Sequence, residues 1–288
     1  MSITTKELLH LAAAKNTAVI GFECIDYNMV YALAEASYES GIPAIAMVDP
    51  ATCIDKNDCH PTAFAGIYRS VVEQIDAPIS LHLDHCYSPA YLLNALKNGF
   101  DSVMYDGSNL PIEENAEICK QVVMMSNVFG AMVEAEIGHV GFAHLSDNDN
   151  LDLYTKPGDA KAFCEATHVS ALAIAIGSAH GMYRSTPKID IARLREINAA
   201  TDTPLVLHGG SGIPDEQLEI AFQNGINKFN VGTEYFQVYY QAISEFAEKY
   251  KLEESPFKTP LHVLELPKYT QNVMKNYLLK KLQLSKLG

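Results

Sequence analysis

Eight short apolar runs, each followed by a connecting stretch, are the feature of this 288-residue chain that most limits its possible folds. The runs are rich in Ala, Val, Ile and Leu, which is typical of parallel strands buried on both faces. Eight strand–helix repeats favour a closed barrel over an open sheet, so we predict an α/β fold with one (β/α)8 TIM-barrel domain over residues 1–288. The runs are 18–23, 44–49, 79–84, 102–107, 131–137, 171–177, 205–209 and 226–232.

Amphipathic stretches and helix signals separate the runs. Ser88-Pro89 and Ile213-Pro214-Asp215 carry residues that start helices, and glycines such as Gly41 follow predicted helices where a left-handed residue is needed. The clearest predicted helices are 27–40, 88–98, 113–129, 191–199 and 216–224, with an N-terminal helix at 4–15 and a C-terminal helical extension at 264–287. The segment 138–157 is long and polar for a connection, so we predict a mobile loop over the site.

Composition excludes several classes of partner. The 21 Lys and Arg against 35 Asp and Glu give a net charge of −14, which argues against a nucleic acid partner because phosphate backbones need a basic face. No apolar run approaches the ~20 residues of a membrane span, and the first residues lack the features of a signal peptide. The six cysteines form no CxxC pair. We therefore expect a cytoplasmic protein with reduced thiols and no membrane partner.

Polar residues gather where the predicted strands end. In a barrel of this kind the carboxyl ends of the strands line the active-site mouth. A lone histidine is usually structural, but three histidines at the ends of separate strands, with carboxylates beside them, predict a catalytic zinc site. These residues are Asp84, His85, Asp106, Glu134, Glu136, His180, His208 and Asn230. Because neighbours on an ideal strand face opposite ways, we expect Asp84 or His85 to lie past the strand end, with His85 on the metal and Asp84 in proton transfer.

Two glycine-rich turns follow the seventh and eighth runs. They read Gly209-Gly210-Ser211-Gly212 and Asn230-Val231-Gly232-Thr233. Loops at these places in such barrels often bind phosphate through backbone N–H groups and a helix N-terminus. The alternative is a pair of ordinary tight turns. We expect a phosphate site in which Ser211 and Thr233 donate hydroxyl hydrogen bonds.

These motifs resemble those of the class II, zinc-dependent ketose-bisphosphate aldolases, the family of fructose- and tagatose-bisphosphate aldolases. The resemblance covers residues 18–250. The matching segments include the Leu-His-Leu-Asp-His motif, the Glu-x-Glu motif and the Leu-His-Gly-Gly-Ser-Gly motif. They lie at 81–85, 102–108, 133–138, 175–183 and 205–214.

The resemblance implies an aldehyde-lyase that splits a phosphorylated ketose into dihydroxyacetone phosphate and an aldehyde. It implies that His85, His180 and His208 bind zinc, and that Asp106 and Glu136 hold the metal in an alternate or second position. Asp84 would be the acid/base, and Asn230 would stabilise the enediolate together with the metal. Gly181 and the two turns would hold dihydroxyacetone phosphate, with a monovalent cation nearby. A homodimer or homotetramer is the expected assembly.

Several positions depart from the family pattern. Glu23 and Asp49 stand where many members have neutral side chains, and they add carboxyl groups that should repel a second phosphate. The acid that protonates the enediolate is missing from the long loop, where His144 is the first substitute and Asp147 a weaker one. Arg184 replaces a common lysine and can still meet phosphate. With no arginine after Arg195, we expect a ketose 1-phosphate as substrate rather than a bisphosphate.

Two other functions remain open from the sequence. A metal-dependent hydrolase on the same barrel would use zinc-bound water, but it needs no phosphate cradle. A non-catalytic sugar-phosphate-binding relative would explain the altered loop, but it would not need Asp84 and the three histidines. Both therefore stay behind the aldolase.

Overall fold

In the computed structural model of the chain, eight parallel strands close into one barrel in which β1 pairs with β8. The structure describes residues 3–50, 60–138, 140, 153–181, 183, 187–250 and 260–288. The strands are β1 Val19–Glu23, β2 Ala44–Val48, β3 Ile79–Cys86, β4 Ser102–Tyr105, β5 Met132–Ile137, β6 Ala171–Ile174, β7 Leu205–Leu207 and β8 Ile226–Val231. The predicted closed barrel is confirmed, because each strand falls within or beside its predicted run.

The helices alternate with the strands and cover the barrel. They are α1 Thr5–Ala14, α2 Tyr27–Ser40, α3 Pro61–Gln74, α4 Pro89–Lys97, α5 Ile112–Asn127, α6 Pro157–Thr167, α7 Ile191–Ala200, α8 Asp215–Gln223, α9 Thr233–Lys249 and α10 Pro260–Leu282, and a short 3-10 helix, Gln283–Ser285, follows α10. The caps explain several boundaries. The Ser88 side chain accepts from the backbone of α4, and Gly41 ends α2 in the left-handed conformation at φ 68°.

Strand β3 differs from its prediction. Instead of ending near Asp84, the strand continues to Cys86, and its register with β4 shifts between Leu83 and Cys86. His85 takes a φ of 39°, which is rare for a residue with a side chain. This bulge breaks the strict alternation of the strand. The expectation that Asp84 or His85 lies past the strand end is therefore wrong, since the bulge brings both side chains to the site from within the strand.

The interior of the barrel is unusually polar. Residues two apart on a strand share a face, so His82 lies below Asp84 on β3, Glu134 below Glu136 on β5, and Lys228 below Asn230 on β8. The lower members of these pairs, which are His82, Glu134 and Lys228, are all 0% exposed. Bulky aliphatic side chains usually fill such a layer. Here a polar layer lies directly beneath the strand ends.

Some predictions fall outside the described residues. Most of the predicted mobile loop at 138–157 is in this class, as are His144, Asp147 and Arg184. Among the described helices, none has both the length and the apolar composition needed to cross a membrane.

Candidate active site and metal centre

Three histidine rings meet at the carboxyl ends of the strands. His85 comes from the bulge of β3, His180 follows β6, and His208 follows β7. The centroid of the His85 ring lies 4.9 Å from that of His180 and 4.6 Å from that of His208. The centroids of the His180 and His208 rings are 6.0 Å apart. One ligand nitrogen from each ring lies within 4.8 Å of the others. Ligand nitrogens around a tetrahedral zinc lie about 3.4 Å apart, so small ring movements suffice.

Carboxylates surround this group of rings. Asp106 Oδ2 lies 2.9 Å from His85 Nδ1, and Glu136 Oε2 lies 3.7 Å from His208 Nδ1. His85, Asp106 and Glu136 together form a second group whose possible ligand atoms are mutually close. Asp84 Oδ2 lies 3.9 Å from His85 Nε2. The structure thus brings together all five predicted metal ligands and the predicted acid/base.

The electrostatics of the site favour a cation at its centre. Burial lowers the pKa of His180 to about 3, with further lowering by His85 and His208, so its ring is neutral at pH 7. Burial also lowers the pKa of His208. His85 behaves oppositely, because Asp84, Asp106 and Glu136 raise its pKa well above the usual value despite burial. The acidic groups therefore favour one positive charge, here on the His85 ring.

The residues fit a bound divalent metal ion. Neutral imidazoles supply lone pairs, and carboxylates supply the oxygen ligands of an alternate position. Glu136 Oε2 and Asp84 Oδ1 are buried without a hydrogen-bond partner among the described residues. Buried carboxylate oxygens without partners are costly, and an ion beside them would remove that cost.

Asp84 and Asn230 stand beside the histidines as a pair. Asn230 Nδ2 donates to Asp84 Oδ2 at 2.9 Å, and Asn230 Oδ1 has no partner within the described part of the chain. Although burial opposes ionisation, His85, His82 and His208 keep the pKa of Asp84 well below its usual range. Asp84 is therefore an ionised carboxylate, as a general base must be.

The glycines of the first turn are required by space. A Cβ on Gly210 would lie 1.9 Å from the Phe229 ring, and one on Gly209 would lie 2.4 Å from the backbone of Ala179. Gly209 also has a φ of 66°. The turn after β7 therefore packs closely against the backbone of the loop after β6 and against residues of β8.

The second turn leads into helix α9. Val231 is fully buried at the end of β8, Gly232 is the N-cap without a side-chain cap, and Thr233 is the first helical residue. Ser211 Oγ accepts from the Glu234 N–H at 3.0 Å, which joins the first turn to this helix. The two predicted turns thus converge at a helix N-terminus, a place suited to anions.

Tyr183 ties two of these loops together. Its hydroxyl accepts from the Ala179 N–H at 2.6 Å and donates to the Gly209 carbonyl at 2.7 Å. The buried hydroxyl of Ser178 lacks a hydrogen-bond partner among the described residues. A Cβ on Gly181, whose φ is 93°, would meet no heavy atom of the described residues within 4 Å. Tyr183 lies in a predicted motif, but nothing in the sequence indicated this bridging role.

Comparison with known families identifies the family of the chain. A sequence model described as fructose-bisphosphate aldolase class-II matches residues 3–286. The chain belongs to this family. Class II aldolases are carbon–carbon lyases, so this aldolase is an enzyme of the lyase class, and the family is typically metal-dependent. The predicted membership is confirmed.

Solved structures support the same conclusion. The aldolase is similar to the YdjI aldolase from Escherichia coli K12, with 29% identity, a TM-score of 0.84, and coverage of 99% of this chain and 97% of that one. It also shares its fold with the fructose-bisphosphate aldolase of Campylobacter jejuni, with 20% identity, a TM-score of 0.83, and coverage of 99% and 96%.

Two features of this aldolase's site escaped the sequence analysis. Lys228 was not singled out, although a lysine within a buried strand is a signal in itself. Glu23 was expected to add negative charge, but burial and then Asp84 and Asp49 raise its pKa well above the usual range. Burial therefore favours the protonated form of the Glu23 carboxyl, whose Oε2 accepts from the Asp49 N–H at 3.1 Å.

Proposed function

We propose that this aldolase is zinc-dependent and cleaves a ketose 1-phosphate to dihydroxyacetone phosphate and an aldehyde. The observation that carries the proposal is a pair of glycine-rich turns that meet at the N-terminus of α9, at the β7 and β8 ends, together with carboxyl groups at the β1 and β2 ends. Glu23 is 8% exposed at the end of β1, and its carboxyl bonds the backbone of Asp49 just after β2.

In this proposal His85, His180 and His208 hold zinc, and Asp106 and Glu136 hold a metal in the alternate or second position. When bound, the metal acts as a Lewis acid on the oxygens of the substrate. Three imidazoles that leave a further coordination place are typical of catalytic zinc.

Asp84 is the proposed acid/base. In the cleavage direction it takes the proton of the carbon-4 hydroxyl while the bond between carbon 3 and carbon 4 breaks. Asn230 holds the carboxylate through its 2.9 Å hydrogen bond to Oδ2 and leaves its own Oδ1 for the substrate. Lys228, the buried lysine of the barrel interior, is bonded to Glu134 and therefore makes a poor Schiff-base nucleophile.

The phosphate of the substrate would lie at the turns 209–211 and 230–233, near the N-terminus of α9. Backbone N–H groups and the hydroxyls of Ser211 and Thr233 are the proposed donors, with Gly181 and Arg184 completing the cradle. Ser178 offers a further buried hydroxyl without a partner among the described residues.

The other half of the substrate is proposed to carry no phosphate. A carboxylate and a phosphate charge at ~4 Å repel by about 4 kcal/mol at an effective dielectric constant of 20. Asp49 would impose this penalty on a second phosphate near β2, whereas Glu23, whose raised pKa favours the protonated form, can hydrogen-bond to sugar hydroxyls. Arg69 and Arg193 each donate to a backbone carbonyl, and Arg195 donates to a side-chain amide oxygen. These three guanidinium groups are therefore already engaged elsewhere in the chain.

A substrate panel tests this proposal. The zinc-loaded enzyme is offered ketose 1-phosphates and the corresponding 1,6-bisphosphates, and dihydroxyacetone phosphate is detected by a coupled assay. We expect at least one monophosphate to be cleaved with a higher kcat/KM than every bisphosphate. Faster cleavage of fructose 1,6-bisphosphate than of every monophosphate would refute the substrate proposal but leave the aldolase assignment intact.

The other expectations stay predictions. These are a single domain over residues 1–288, a homodimer or homotetramer, a monovalent cation near the phosphate turns, a cytoplasmic location, and enediolate protonation by His144. Light scattering tests the assembly, and exchange of the carbon-3 proton of dihydroxyacetone phosphate in a His144→Ala variant tests the proton donor.

A further inference from the structure

Lys228 lies in the middle of strand β8 with no exposed surface. Taking an ammonium group out of water carries a large free-energy penalty, so buried lysines are rare and are paired where they occur. An aliphatic side chain would fill this place in the barrel without that penalty. The buried ammonium charge of Lys228 therefore needs a structural or functional explanation.

The contacts of the ammonium lead to the proposed metal centre in two steps. Lys228 Nζ donates to Glu134 Oε2 at 2.8 Å, and the other oxygen of Glu134, Oε1, lies 2.8 Å from His208 Nε2. A carboxylate held by a lysine can only accept at Oε1, so His208 carries its proton on Nε2. The lone pair of the ring is then on Nδ1, the nitrogen that lies 2.8 Å from His85 Nε2.

The same ammonium fills a second acidic pocket. The ligand atoms of His82, Asp84 and Glu134 lie close enough together to suggest another metal site. Lys228 Nζ also lies 3.4 Å from His82 Nε2, so a cation is already present in this pocket. His82 Nδ1 lies 2.6 Å from Ser102 Oγ, which fixes that ring as well. The ammonium group of Lys228 therefore takes the place of a metal ion in this pocket.

We propose that Lys228 and Glu134 are positioning residues that hold His208 in the tautomer and orientation in which Nδ1 faces the metal. Glu134 acts on the ligand directly, and Lys228 acts through Glu134. Carboxylates behind metal-bound histidines fix the ring and raise its basicity, and their loss typically weakens metal affinity by about 10–100-fold. The inference deepens the proposed function and rests on it, since it assumes that His208 is a ligand.

The test compares zinc affinity among variants of the full-length protein by competition with a chromophoric chelator. The main variant is the double substitution Lys228→Met/Glu134→Gln, which removes both charges at similar volume and so avoids leaving one buried charge alone. Glu134→Gln alone is the second variant: the amide oxygen can still accept from Lys228 while the amide nitrogen cannot accept from His208, so this variant tests the inference if the double variant does not fold. We expect either one to lose at least tenfold in zinc affinity, in line with the about 10–100-fold range for such partners.

The matched control is Asp101→Asn, which alters a part-buried carboxylate at the opposite end of the barrel. Asp101 accepts from the Thr5 and Leu81 N–H groups at 2.9 and 3.1 Å. The control should keep the zinc affinity of the wild type even if its melting temperature falls. The d–d absorption of the cobalt-substituted protein gives a second readout, since it should change in the Glu134 variants and not in Asp101→Asn.

A loss below tenfold, or an equal loss in Asp101→Asn, would overturn the inference. Failure of the proposed function is seen separately. If His208→Ala keeps the zinc affinity of the wild type, His208 is not a ligand and the proposed metal centre is wrong. If His208→Ala loses zinc while Lys228→Met/Glu134→Gln keeps it, only the positioning role is refuted.

Discussion

Replacing Gly210 by alanine is the perturbation whose effect the structure defines most closely. The new Cβ would lie 1.9 and 2.2 Å from two atoms of the Phe229 ring and 2.9 Å from the Asn230 carbonyl oxygen. Ordinary contacts begin near 3.4 Å, so the turn or the ring must move by more than an ångström. Phe229 is fully buried and lies between two site residues of β8, Lys228 and Asn230, so it has little freedom to retreat.

The cost of the Gly210→Ala substitution follows from this overlap. Overpacking of this kind destabilises proteins by about 1–3 kcal/mol. In a chain of this size each kcal/mol lowers Tm by about 2–4 °C. The turn would also leave its place beside the substrate phosphate, and misplacement by 1 Å can lower activity by about 100-fold. We therefore expect kcat/KM to fall by about two orders of magnitude, mainly through KM for the phosphorylated substrate.

Thermal unfolding and steady-state cleavage of the best ketose phosphate measure the two effects of Gly210→Ala. Gly66→Ala is the matched control, because a Cβ there meets no atom of the described residues within 4 Å. Gly66 lies inside helix α3, so alanine should stabilise the protein by up to about 1 kcal/mol and leave kcat/KM unchanged. A Gly210→Ala variant with the Tm and KM of the wild type would show that the loops do not pack as described.

Three further substitutions test other parts of the site. Asp84→Ala should lower kcat by about 100- to 10,000-fold and leave zinc content unchanged, and cleavage at the rate of the wild type would remove Asp84 from proton transfer. Asp49→Ser should raise kcat/KM for a bisphosphate at least tenfold relative to the matching monophosphate, because loss of the carboxylate relieves at most about 4 kcal/mol of repulsion. An unchanged ratio of the two kcat/KM values would show that Asp49 does not select the substrate. Tyr183→Phe leaves the Ala179 N–H and the Gly209 carbonyl without their partner, so unfolding free energy should fall by about 1–3 kcal/mol and KM should rise, whereas an unaltered KM would separate this bridge from phosphate binding.

The barrel could be predicted from the sequence because its signal is repeated and local. Runs of Ala, Val, Ile and Leu at regular intervals mark buried parallel strands, and a capped helix such as α4 marks its own boundaries. Helices α3, α6 and α9 were not among the clearest stretches. Helix α9 begins within the second glycine-rich turn, so its first residues were assigned to phosphate binding alone.

The site was harder to predict where it depends on irregular backbone or on burial. The bulge at His85 could not be found by a rule that assumes strict alternation along β3, because a positive φ at a histidine leaves no mark in the sequence. Lys228 was missed because its partner Glu134 is 94 residues away in the chain. The raised pKa of Glu23 follows from burial and from Asp84 and Asp49 beside it, which only the folded structure brings together.

Metal content is the most direct test of the central claim that three distant histidines share one ion. The wild type, loaded with zinc and then dialysed, should retain about one zinc ion per chain, as three converging imidazoles predict. A variant with alanine at His85, His180 and His208 should retain none while keeping its circular dichroism spectrum. Retention of zinc by this variant at the level of the wild type would contradict the account.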